Sequence, residues 1–151
     1  MDDYKRIAQK ANEAALLCKK AGLKLAYHNH DFEFTKFGNQ TGYGILLQET
    51  DKKLVDFELD LYWVVRSGND PLQLFQNHAG RFTMWHVKDM DKNNPAWNAE
   101  IGEGNINFKA IFAQAKASGM QHFFVEQETN YSPNPMESIK ASCQYVSKQL
   151  L

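Results

Sequence analysis

A chain of 151 residues has room for one domain with a real hydrophobic core. Its 17 basic and 18 acidic residues leave a formal net charge of -1, which gives no cationic footprint for nucleic acid or an anionic membrane. No apolar run approaches the roughly 18–20 residues of a membrane span, and the polar opening MDDYKRIAQK lacks the character of a secretory signal.

Tyr4 to Ala21 reads as an amphipathic helix with Ile7, Ala11, Ala14, Ala15 and Cys18 on one face. Lys19 and Lys20 suit its last turn, and Gly22 caps it. Leu23–Tyr27 predicts a first strand, followed by His28-Asn29-His30-Asp31-Phe32-Glu33 and a glycine-containing loop. A short helix is expected over Ile45–Glu49 and a second strand over Leu54–Leu61, with Glu58, Asp60 and Tyr62 on one side of it. Asp70 and Pro71 start a helix over Leu72–Asn77, as cap and first-turn proline. Arg81–Val87 predicts the third strand, and a long aperiodic loop after it carries Trp97 and the segment Glu100–Asn105. A helix over Phe108–Ser118, a strand over His122–Glu128 and a helix over Met136–Leu150 complete the pattern. The last helix is expected to bury Ile139, Cys143, Val146 and Leu150. Cys18 and Cys143 lie on apolar helix faces and read as buried thiols of a reducing, cytoplasmic compartment.

Strands alternating with helices argue for an α/β fold with a parallel sheet, in one domain over residues 1–151. Two architectures fit: an open doubly wound sheet or part of a (β/α)8 barrel. Both place ligands at the carboxyl ends of strands, and here those ends are polar. Asp60, His86 and Glu126 each come near the end of a different strand, and an aspartate, an imidazole and a glutamate around one centre suit Mn2+, Mg2+ or Zn2+. His28, His30 and Glu33 compete as the fourth ligand, with His28 the choice for the metal set. Lys88 and Asp89 extend past His86 toward a substrate hydroxyl or phosphate, while Trp63 and Trp85 offer an apolar platform for a sugar ring, with core packing the alternative. Gly102-Glu103-Gly104 resembles a phosphate-cradling loop only superficially.

The stretches YHNHDFEF (27–34), FELDLYWV (57–64), WHVKDMD (85–91), IGEGNINF (101–108) and FFVEQE (123–128) resemble the sugar phosphate isomerase/epimerase family of the xylose isomerase-like TIM barrel superfamily. The resemblance implies a divalent metal at the ends of the last four barrel strands, with Asp60, His86 and Glu126 on the positions of the aspartate, histidine and final glutamate ligands. His28 departs from the glutamate of the ketose epimerases, and Trp63 from a histidine shortly after their aspartate. The HNH form is closer to sugar isomerases and inosose dehydratase-like or keto-sugar lyase-like proteins. The implied reaction is proton transfer next to a sugar carbonyl. Glu126 would be both ligand and proton shuttle, with Glu33 or one of His28 and His30 as the partner acid or base and Lys88 beside them as a further catalytic candidate. Epimerisation, isomerisation and β-elimination share this first step.

The family's fold has eight strands, so this chain is expected to be the C-terminal half of a barrel. It would act as a homo-oligomer or with a missing N-terminal half. Its partner is expected to be a small sugar or sugar phosphate, with no nucleic acid and no membrane. A metal-dependent phosphodiesterase, as among endonuclease IV relatives, would need more than the five histidines present and a cationic surface. A half-barrel that binds metal or sugar without turnover is the non-enzymatic alternative.

Overall fold

Four short apolar stretches pair side by side: Leu25–His28 (β1), Val55–Asp60 (β2), Met84–Val87 (β3) and His122–Val125 (β4). In the computed structural model, which describes residues 2–151, they form one parallel sheet in the sequential order β1-β2-β3-β4. The register sets His28 beside Glu58, Asp60 beside His86 and His86 beside Phe124. Parallel strands need long crossovers, and these are helical. A doubly wound sheet reverses its strand order at a switch point, whereas a barrel arc runs in sequence. The order seen here is that of a barrel arc.

The helices are Asp2–Lys20 (α1), Gly42–Glu49 (α2), Leu61–Arg66 (α3), Pro71–Asn77 (α4), Phe108–Phe112 (α5), Ala115–Ser118 (α6) and Pro135–Gln149 (α7). Side chains fix several starts: Thr41 accepts from the Gly44 N–H, Asp70 from Leu72 and Asn134 from Glu137. Strand alternation sends Val55, Phe57, Leu59, Trp85 and Val87 to the helix side, where all five are fully buried. Each Å² of apolar surface buried in this layer contributes roughly 25 cal/mol. At the amino-terminal end, buried Arg81 donates to the Leu47 carbonyl and the Thr50 hydroxyl and lies over the Phe57 ring.

Three expectations need correction. The second strand ends at Asp60, and Leu61–Arg66 is helical despite its aromatic and β-branched residues, because the Asp60 side chain caps it by accepting from Trp63 N–H. The helix over 108–118 is broken into α5 and α6 around Ala113–Gln114. The last helix is rotated: Ser138, Ser142 and Val146 are its buried residues, and Cys143 is exposed. Polar contacts drive the rotation, since the Ser138 hydroxyl donates to Glu100 and the Ser142 hydroxyl accepts from Ile101 N–H. Cys18 is half-buried.

Candidate functional site

Alternation places His28, Glu58, Asp60, His86, Lys88, Glu126 and Glu128 on the sheet face opposite the helices, at the carboxyl ends of the strands. Asp60 is the centre. Its backbone N–H donates to the buried Asn29 side chain at 3.0 Å, which ties the end of β1 to the end of β2. Oδ1 accepts the Trp63 N–H at 3.1 Å. Oδ2 is buried with no hydrogen bond of good geometry, 3.3 Å from Lys88 Nζ, 3.8 Å from His86 Nδ1 and 3.9 Å from His28 Nε2. Burial raises the Asp60 carboxyl above its ordinary range, against the pull of Lys88. Burial also lowers the His28 imidazole, helped by His86, so His28 is a neutral donor at pH 7.

One donor atom each from His28, Asp60 and His86 falls within 4.8 Å of the others. An orphaned carboxylate oxygen and a neutral imidazole suit a divalent cation of borderline hardness, so these residues fit the expected ion. Glu126 stands one step outside this trio: its Oε2 is 2.9 Å from His86 Nδ1 and 2.9 Å from Lys88 Nζ. Burial alone would raise the Glu126 carboxyl, but Lys88 and His86 hold it below its usual value.

Lys88 is almost fully buried and meets three carboxylates, Asp60 at 3.3 Å, Glu126 at 2.9 Å and Glu128 at 3.0 Å. Burial lowers its pKa, yet the three acids more than offset this and raise it above the ordinary lysine value. Both members of the Asp60–Lys88 pair are thus shifted upward. The ammonium has several counter-charges, whereas the fully buried carboxylate has one close cation. Across the mouth, exposed His30 stacks on Phe32 with ring centroids 5.9 Å apart, and it sits 5.4 Å from the Trp63 ring. Trp63 therefore lies on the rim beside His30.

Three expected site residues lie elsewhere. Trp85 is fully buried on the helix side and stacks on Phe75 at 5.2 Å, because its neighbour His86 takes the opposite face. Asp89 is fully buried, and its carboxylate accepts N–H bonds from Met90, Gly102, Gly104 and Ile106. The glycine loop cradles this carboxylate, and a Cβ at Gly104 would collide with Asp89 Oδ1. Glu33 is buried and accepts from the Tyr27 hydroxyl and the His30 N–H, so it anchors the turn that carries His30. Two acids were missed: Glu58, 2.8 Å from His86 Nε2, and Glu128 on Lys88. Both were legible as same-face neighbours, two residues from Asp60 and Glu126.

A crystal structure of a sugar phosphate isomerase/epimerase from Parabacteroides distasonis superimposes with a TM-score of 0.85 at 31% identity, covering 98% of this chain and 53% of that one. An inosose dehydratase from Geobacillus thermodenitrificans is 29% identical over 89% of this chain and 51% of its own length. One from Clostridium perfringens is 25% identical over 98% of this chain and 55% of its own. The chain spans about half the length of the curated relatives it matches. The family described as xylose isomerase-like TIM barrel matches residues 2–149. With a match nearly end to end, on a sheet ordered as a barrel arc, the chain belongs to the xylose isomerase-like TIM barrel family.

Proposed function

We propose that this chain carries the proton-transfer half of a metal-dependent sugar isomerase or epimerase. The observation behind this reading is the buried Asp60 Oδ2, which no hydrogen bond satisfies, facing His28 and His86 beside an ionised Glu126. A divalent ion (Mn2+, Mg2+ or Zn2+) held by His28, Asp60 and His86 would withdraw charge from a sugar carbonyl and its neighbouring hydroxyl, acidifying the C–H between them. Glu126 is held in its basic form by Lys88 and His86 and is accessible enough to take that proton. Lys88 stays cationic and sets a fixed positive charge beside it, and Glu58 orients the His86 ring through Nε2. His30, Phe32 and Trp63 form an aromatic wall against which an apolar sugar face can lie.

The second reading is dehydration of an inosose-like keto-polyol. It is supported by the inosose dehydratases among the relatives and begins with the same proton removal. Both readings are tested by incubating the protein with Mn2+ and a panel of keto-sugars and inososes in deuterium oxide. Deuterium entering the carbon next to the carbonyl supports proton transfer, and loss of water in the product assigns the dehydratase. Absence of exchange across the panel overturns both.

A further inference from the structure

We infer that Asn98 is a positioning residue of this site: it pins the segment 127–130 and so keeps Glu126 and Glu128 on Lys88. Its consequence for rate rests on the proton-transfer reading; its place in the structure does not. β4 ends at Val125, and the Glu126 N–H makes one more bond to the β3 chain, to the Val87 carbonyl at 3.1 Å. Among the described residues no backbone bond ties 127–130 to β3. Both acids that meet Lys88 from this side therefore sit where the sheet has released the chain.

Asn98 takes over at that point. Its side-chain oxygen accepts the Glu128 N–H at 2.8 Å, as the carbonyl of a neighbouring strand would. Its own N–H donates to Thr129 Oγ1 at 2.9 Å, and its carbonyl accepts from Asn130 Nδ2 at 3.0 Å. Its side-chain nitrogen turns back to the carbonyl of Asp89, the residue after Lys88, at 3.4 Å. One residue thus joins the chain that carries the lysine to the chain that carries the acids. Asn98 is only 2% exposed, so water is poorly placed to replace the bonds its side chain makes.

Both sides of this pin are firm. Asn98 and Ala99 pair antiparallel with Met90 and Asp89, the Pro95 carbonyl accepts from the Tyr62 hydroxyl, and the Ile101 N–H donates to the Ser142 hydroxyl. The pinned segment is braced within itself: Gln127 Nε2 donates to the Thr129 and Asn130 carbonyls, and the Tyr131 hydroxyl to the Gln127 carbonyl. A turn braced in this way moves as a unit when its outside anchor is lost, and the acids move with it. A shift of about 1 Å at a reacting group can cost on the order of 10²-fold in rate.

The test follows acetylation of Lys88 by N-hydroxysuccinimidyl acetate, read by mass spectrometry, in the unaltered chain and in Asn98→Ala, Thr129→Val and Thr129→Ser. Lys88 is almost fully buried among Glu126, Glu128 and the rings of Tyr62 and Trp63, so its labelling rate reports whether the acids stay in place. Asn98→Ala should raise that rate at least about fivefold, the worth of one hydrogen bond in an opening equilibrium. Thr129 is exposed, so Thr129→Val should fold normally and still raise the rate at least about threefold, by removing the acceptor of the Asn98 N–H. Thr129→Ser keeps that oxygen and should match the unaltered chain. Amide exchange of β2 should not change in either Thr129 variant, which separates loss of the pin from general loosening. With Mn2+ and a keto-sugar that the unaltered chain exchanges, Asn98→Ala should lower kcat for deuterium exchange about tenfold or more, with KM and Mn2+ affinity within about twofold. Unchanged Lys88 labelling in both Asn98→Ala and Thr129→Val overturns the inference. So does faster labelling matched by equal loosening of β2, and so does a defect that Thr129→Ser shares with Thr129→Val. If the unaltered chain exchanges deuterium into no keto-sugar, the proton-transfer reading falls, and the labelling rates alone decide whether Asn98 holds the acids on Lys88.

Discussion

Lys88 Nζ lies 3.3 Å from Asp60 Oδ2, and this contact supplies close positive charge to a carboxylate oxygen that no hydrogen bond satisfies. The two partners are not equivalent. Asp60→Asn leaves Lys88 with Glu126 and Glu128, and asparagine still caps α3. Lys88→Met leaves Asp60 buried without that counter-charge, at a cost of about 3–5 kcal/mol.

Metal dependence of stability follows from that asymmetry. On the proposed reading, a divalent ion on His28, Asp60 and His86 would restore positive charge at Oδ2. Mn2+ at a hundred times its dissociation constant should therefore return about 2.7 kcal/mol to Lys88→Met. The same ion should leave the thermal transition of Asp60→Asn nearly unmoved. Melting curves with and without Mn2+ on the two variants check this, and an equal response in both would remove Asp60 from the ligand set.

Asp89 predicts the opposite pattern. Its carboxylate gathers four backbone N–H groups from the segment 90–106, so Asp89→Ala leaves buried donors dry at about 1–3 kcal/mol for each one that water cannot reach. The transition temperature should fall, and hydrogen exchange should rise at Gly102, Gly104 and Ile106. Mn2+ affinity should hold within about twofold, since the carboxylate points away from the trio of donors. A selective loss of substrate or metal binding without loop loosening would return Asp89 to the site.

The sheet and its polar rim were legible because burial and alternation are written into the strands, as in VDFELD, where Val55, Phe57 and Leu59 go one way and Asp56, Glu58 and Asp60 the other. The same rule assigns Trp85 and Asp89 to the helix side and His86 and Lys88 to the site, yet local flanking suggested otherwise. Proximity along the chain is a poor guide where side chains alternate. Glu33 was misplaced for a different reason. Its role depends on a 3-10 turn over Phe32–Phe34 that folds the carboxylate back onto Tyr27 and His30, and no periodicity announces so short an element. The rotation of α7 was hidden likewise, because its buried side is set by serine hydroxyls that bind Glu100 and Ile101 far away in sequence.

The two tryptophans separate core from site. Trp85→Ala should cost about 3–5 kcal/mol by opening a cavity between Phe75 and Phe112. Trp63, only partly buried and beside His30, should cost less when truncated and should act instead on substrate, raising KM for the active keto-sugar with a smaller change in kcat. Thermal melts paired with steady-state kinetics decide it. Equal destabilisation with unchanged KM would make Trp63 a packing residue.

Glu126 is ionised, partly accessible, paired with Lys88 and in contact with the His86 ring, so Glu126→Gln should cut deuterium exchange into substrate by roughly 10²–10⁴-fold, the usual worth of a positioned base. Glu33→Gln keeps an acceptor for the Tyr27 hydroxyl or the His30 N–H but cannot serve both as a carboxylate does. It should lower stability by about 1 kcal/mol, the net worth of one hydrogen bond, and slow exchange by less than about tenfold. Burial and Glu33 hold the Tyr27 hydroxyl pKa far above its ordinary value, so Tyr27 remains a donor to this carboxylate at any working pH, and Tyr27→Phe should reproduce the Glu33→Gln phenotype. If Glu33→Gln instead abolishes exchange while Tyr27→Phe does not, the carboxylate takes part in the proton transfer and its anchoring of the His30 turn is secondary.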